Sequence, residues 1–115
     1  MHKMRLINDA FERMKKGIKT VEIRLYDEKR QLIKPGDIIE FTNLDTGELL
    51  RVKVIKLHLF DSFKELFDHF DKKAFGINES TTYKSMDRFY TKEEQEKYKA
   101  VGIEIKLIEE WGKWM

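Results

Sequence analysis

From Thr20 to Tyr26 apolar and polar residues alternate one by one, with Val21, Ile23 and Leu25 on one side and Thr20, Glu22, Arg24 and Tyr26 on the other. A period of two belongs to extended chain, so this stretch predicts a strand with one apolar face and one charged face. Ahead of it, Ala10, Phe11 and Met14 recur at helical spacing, and Lys15 and Lys16 fill a last turn. That pattern predicts a helix over 8–16, with Asn8 or Asp9 available as cap and Gly17 as the left-handed stop. Met4 to Ile7 reads as a brief strand or lead-in.

After the charged strand the chain turns polar, with Asp27, Glu28, Lys29 and Arg30 in a connection able to reach over a ligand. Pro35-Gly36 fits the two central positions of a type II turn, because Pro presets φ and Gly accepts a positive φ. Strands over 37–43 and 49–59 follow, joined by Asp45-Thr46-Gly47 into a hairpin with a long second arm. Ser62-Phe63-Lys64-Glu65 has capping-box spacing and opens a second helix, in which Phe63, Leu66, Phe67 and Phe70 form a stripe that Gly76 ends. Such a stripe signals core packing rather than a base-stacking platform. Tyr83, Met86 and Phe89 or Tyr90 suggest a short third helix. A further capping box, Thr91 to Glu94, opens a turn or two through Tyr98, and Val101, Ile103, Ile105 and Leu107 mark a last strand expected to pair centrally. Trp111 and Trp114 read as a lid folded back on the core.

The 115 residues suit one domain spanning 1–115 with a single core. With 38% charged and 41% hydrophobic residues, the chain reads as ordered, and with no apolar run at its N-terminus and no window of roughly 18 consecutive apolar residues, the cytoplasm is the expected location. The absence of cysteine removes disulfides and thiolate metal sites, and His2, His58 and His69 lack close ligand spacing, so no metal and no cofactor is expected. Net charge is only +2, but residues 1–57 hold 13 Lys/Arg against 9 Asp/Glu, whereas residues 58–115 hold 10 against 12. A basic first half suits a small or single-stranded anionic ligand better than duplex nucleic acid.

Thr20, Glu22 and Arg24 stand about 7 Å apart along one strand face. Lys19 joins them at the mouth of the strand, where the preceding helix ends and its dipole favours cations. A charged strand face is ordinarily just the solvated one. The same arrangement also suits an anion site.

The motif Gly17-x-Lys19-x-x-Glu22-x-Arg24, followed by Lys34-Pro35-Gly36-Asp37, resembles the signature of ASCH domains, which are related to PUA domains. The segment Phe89-Tyr90-Thr91-Lys92-Glu93-Glu94, with Tyr98 and Val101-Gly102-Ile103-Glu104-Ile105 behind it, resembles the closing part of bacterial members. The resemblance implies an α+β fold, a PUA-like small β-barrel of five to six mostly antiparallel strands flanked by helices. It also implies a cleft for RNA or nucleotides lined by Lys19, Glu22 and Arg24, with Thr20 as a neighbour and Tyr90 placed to stack a base. The expected partner is thus single-stranded RNA, a nucleotide or a modified nucleoside, with no membrane. One branch of small ASCH proteins is an amidohydrolase that removes the acyl group from an N4-acylated cytidine with a lysine, a threonine and a glutamate. Lys19 matches that lysine, but Glu22 stands at the threonine position, and the glutamate would be Glu79 or Glu65. An enzyme of this type would need Glu22 as general base beside Lys19, in a cleft that raises its pKa. A structural adaptor is the third reading, with Glu22 and Arg24 as a surface pair.

Overall fold

A computed structural model describes residues 1–77 and 80–108. Glu79, Trp111 and Trp114 lie outside the described residues. The elements run β1 (His2–Leu6), α1 (Asn8–Lys15), β2 (Val21–Leu25), β3 (Ile38–Asn43), β4 (Leu49–Phe60), α2 (Phe63–His69), α3 (Lys92–Tyr98) and β5 (Ala100–Leu107), with 3-10 turns at Arg30–Leu32, Lys72–Phe75 and Tyr83–Arg88. The strands form one sheet in the order β1-β3-β4-β5-β2, in which β1 pairs parallel to β3 and every other pair is antiparallel. This is the expected α+β, barrel-like fold.

Strand β4 makes the curl possible. Its first part pairs with β3, its second with β5, and a bulge between Val54 and Lys56 lets it bend from one partner to the other. The turn before β3 has type II character, since Gly36 has φ 92° and the Asp37 amide donates to the Lys34 carbonyl at 3.0 Å. With β4 bent, the two ends of the sheet approach each other. Arg24 Nη2 on β2 donates to the Arg5 carbonyl on β1 at 2.8 Å.

Two apolar clusters hold the fold. Inside the curl, Met4, Leu6, Phe11, Met14, Ile39, Phe41, Val52, Val54, Val101 and Ile103 pack together. Outside it, Val21 and Leu25 pack with Phe63, Leu66, Phe67, Phe75 and Met86. The aromatic stripe of α2 is therefore core, as its spacing indicates.

Several local expectations change. Helix α1 has no side-chain cap of its own; its first amide, at Asn8, donates to Asp45 Oδ2 at 3.1 Å, so the β3–β4 turn caps it from a distance. Ser62 caps α2, but the Glu65 carboxylate accepts from the Asp61 amide rather than closing the box on Ser62. The second helix stops at His69 because Phe70 is extended, and a separate 3-10 turn capped by Asp71 leads to Gly76. The Thr91–Glu94 capping box is complete.

Candidate functional site

Strand β2 carries charge on the inward side of the sheet. Residues directly opposite each other in an antiparallel pair share a face. Glu22 is opposite Ile103 and Arg24 opposite Val101, both members of the cluster inside the curl. Val21, Ile23 and Leu25 face outward beneath α2 and the 3-10 turns. Both faces of β2 are covered, which corrects the expectation of a solvated charged face.

The three motif side chains meet. Glu22 is 4% exposed and Lys19 6%. Glu22 Oε2 accepts from Arg24 Nε at 2.9 Å and pairs with Arg24 Nη2 at 2.8 Å, while Oε1 lies 3.2 Å from Lys19 Nζ and 3.3 Å from the Ile23 amide. Lys19 Nζ also donates to the carbonyls of Val21 at 3.0 Å and Phe75 at 3.1 Å. Its three donors are thus all engaged within the protein. The Phe75 contact depends on a close approach: Gly76 has φ 68°, and a Cβ there would stand 3.0 Å from the Lys19 Cβ. Arg13 Nη1 donates to the Gly76 carbonyl and fixes the same turn.

Burial alone pushes the Glu22 carboxyl up, but Arg24 and Lys19 more than offset it and hold the group below the ordinary carboxylate range. Burial likewise disfavours the Arg24 cation, and the attraction of Glu22, aided by Tyr90 and Asp27, prevails and raises its pKa. Buried ion pairs of this kind cost desolvation and persist only with full hydrogen bonding. Here the bonding is full for Glu22 and Lys19. Arg24 differs, because its Nη1 makes no hydrogen bond to the described residues and its side chain keeps 17% exposure.

A scan against family models matches residues 4–109 to the ASCH domain. The chain belongs to the ASCH family. This ASCH protein is similar to hypothetical protein PH0355, whose crystal structure has a TM-score of 0.80 and 38% identity over 92% of this chain and 97% of that one. It is also similar to protein PF0455 of Pyrococcus furiosus, solved by NMR, with a TM-score of 0.70 and 34% identity over 94% and 97% of the two chains. An ASCH domain of Lactobacillus crispatus shares the fold at 13% identity, with a TM-score of 0.53 over 92% and 79% of the two chains. No curated protein matches.

Of the remaining sequence candidates, Tyr90 adjoins Arg24, while Thr20 and Glu65 make no side-chain hydrogen bond or ion pair with the Lys19–Glu22–Arg24 cluster among the described residues. Thr20 is exposed, and its backbone bridges Ala74 and Ile105. Tyr90 stacks on Phe63, with centroids 5.8 Å apart and planes 6° off parallel, while its phenol acts electrostatically on Arg24. Glu65 lines a separate depression with Tyr26, Asp61 and Lys99. Sequence reasoning missed the backbone partners Phe75 and Arg5, which no local pattern announces. In the polar connection after β2, Asp27 is tied to Arg30 by a 3.1 Å ion pair and both side chains are largely covered. Among the described residues no cluster of His, Cys, Asp or Glu could hold a metal ion, and no helix is long and apolar enough to cross a membrane.

Proposed function

We propose that this ASCH protein binds single-stranded RNA or a nucleotide in the cytoplasm, at the seam where β2 meets β1. Arg24 supplies the contact with the anion. The carrying observation is that its guanidinium is held charged and oriented by Glu22, yet Nη1 is unbonded among the described residues and part of the side chain's surface is open. Glu22 and Lys19 then act as positioning residues, and the Tyr90 phenol lies in the same electrostatic neighbourhood. The basic first half of the chain supports this reading.

The hydrolase alternative, an amidohydrolase acting on an N4-acylated cytidine, requires a carboxylate with a raised pKa to take a proton from water. Glu22 has the reverse shift, and its oxygens are engaged by Arg24, Lys19 and the Ile23 amide. That favours binding over turnover.

The test is an NMR titration of the wild-type protein with short single-stranded RNA and with cytidine monophosphate. Shifts at Arg5, Arg24 and Tyr90, with affinity falling as salt rises by about 0.7 log units per neutralised phosphate for each log unit of salt, support the proposal. Tight, salt-independent binding, or shifts centred elsewhere, would count against it.

A further inference from the structure

The segment between β2 and β3 holds a second guanidinium whose recognition edge is unused. The Arg30 amide donates to Asp27 Oδ1 at 3.1 Å, and Arg30 Nη1 donates to Asp27 Oδ2 at 3.1 Å and Oδ1 at 3.4 Å. Arg30 Nε is buried and has no hydrogen-bond partner among the described residues. Its Nη2, on the same edge of the plane, has no acceptor among the described residues. A buried donor without an acceptor is uncommon in folded proteins and calls for a partner. The Nε and Nη2 donors form the fork that matches two oxygens of a phosphate or carboxylate.

The segment is built to hold that fork still. Gln31 Nε2 donates to the Tyr26 carbonyl at 3.0 Å, the Tyr98 hydroxyl donates to Glu28 at 3.0 Å, and Ile33 is buried in the inner cluster. Asp27 links the two guanidiniums, since it pairs with Arg30 and also acts on the Arg24 charge. The Lys19–Glu22–Arg24 cluster keeps one positive charge in excess, while Arg30 and Asp27 cancel. A single anionic group suits this balance.

We propose that Arg30 receives the phosphate of a bound nucleotide through its Nε–Nη2 edge, oriented by Asp27, beside Arg24. This rests on the nucleotide-binding reading above. The experiment follows the Arg30 Nε–Hε resonance and measures affinity for inorganic phosphate, cytidine and cytidine 5′-monophosphate. Wild type should bind the monophosphate roughly 10- to 100-fold more tightly than cytidine, the range of a charge-assisted pair. Arg30 Hε should move downfield with the monophosphate and, at higher concentration, with phosphate alone. Arg30→Lys, which keeps the charge and can still meet Asp27 but loses the fork, should erase most of the preference and leave cytidine affinity intact.

Equal affinity of wild type for cytidine and its monophosphate would overturn the Arg30 assignment while leaving the nucleoside site standing. A preference that survives in Arg30→Lys would also overturn it. An Hε resonance unmoved by phosphate and monophosphate, in a protein that still binds RNA at Arg24, would show that the edge serves the fold alone. Failure of every ligand to bind would remove the nucleotide-binding reading and this inference together.

Discussion

Arg24 Nη2 donates to the Arg5 carbonyl at 2.8 Å, joining strands that stand at opposite ends of the sheet. The same nitrogen pairs with Glu22, so one guanidinium closes the curl and neutralises a buried carboxylate. Arg24→Ala should therefore destabilise the domain by about 3–5 kcal/mol, the range for removing one partner of a buried pair. Arg24→Lys keeps a charge but cannot serve both partners from one planar group, and should cost about 1–2 kcal/mol. Urea unfolding measures both, and amide exchange should report faster opening of β1 than of β3 and β4. A loss below about 1 kcal/mol in Arg24→Ala, with β1 unaffected, would show that the seam is held by something else.

The Glu22 carboxyl sits below its ordinary value, which is about 4.3 in an unfolded chain. As pH falls, the unfolded chain takes up this proton before the folded one does, and protonation favours unfolding. The stabilisation from Glu22 is thus complete above about pH 4.3 and disappears as pH drops through the lower folded value. Glu22→Gln cannot titrate. The stability gap between wild type and Glu22→Gln should accordingly be widest near neutrality and narrow steadily in acid; comparing the two proteins cancels other carboxylates, such as Asp37, that also titrate low. A gap that stays constant from pH 7 to about pH 3 would mean that the carboxyl is not held low by its partners.

The motif spacing was enough to pick out Lys19, Glu22 and Arg24 as a set, and period-two alternation was enough to put Glu22 and Arg24 on one face. Neither could say which face was inside. That is decided by register with β5, where Glu22 meets Ile103 and Val21 meets Glu104. A slip of one residue would exchange the faces. The signals that failed share this non-local character. Lys19 is completed by a carbonyl at Phe75, α1 is capped by Asp45, and β1 lies parallel to β3 across an intervening helix and strand. Local pattern was reliable where local chemistry closes on itself, as in the Thr91–Glu94 capping box and the turn at Gly36.

Gly76 is where the 3-10 turn comes down on Lys19. An added methyl would meet the Lys19 Cβ at 3.0 Å and the Arg13 side chain at 3.4 Å, at a φ that an L-residue resists. Gly76→Ala should cost about 1–3 kcal/mol, more than conformational freedom alone explains, because the turn must also withdraw its carbonyls from Lys19 and Arg13. An Arg13→Ala background isolates the Arg13 share. If the penalty is unchanged there, Arg13 plays no part, and the cost lies in the positive φ and the contact with Lys19.

The last prediction concerns turnover. A hydrolase reading of Lys19 and Glu22 asks the carboxylate to activate water while the ammonium steadies an oxyanion. Glu22 is held low in pKa by Arg24 and Lys19, which makes it a weak base, and Lys19 already donates to two backbone carbonyls and to Glu22. Purified protein incubated with N4-acetylcytidine should therefore release no cytidine above the uncatalysed rate at any pH where it stays folded. Glu22→Thr, which places a hydroxyl three residues after Lys19, should first lose stability, since Arg24 and Lys19 keep their burial without a counter-charge. Its activity must be read only where circular dichroism shows a native fold. Robust wild-type release of cytidine, following one carboxylate titration and falling about 10²–10⁴-fold in a folded Glu22→Gln, would make Glu22 a general base and displace the binding reading.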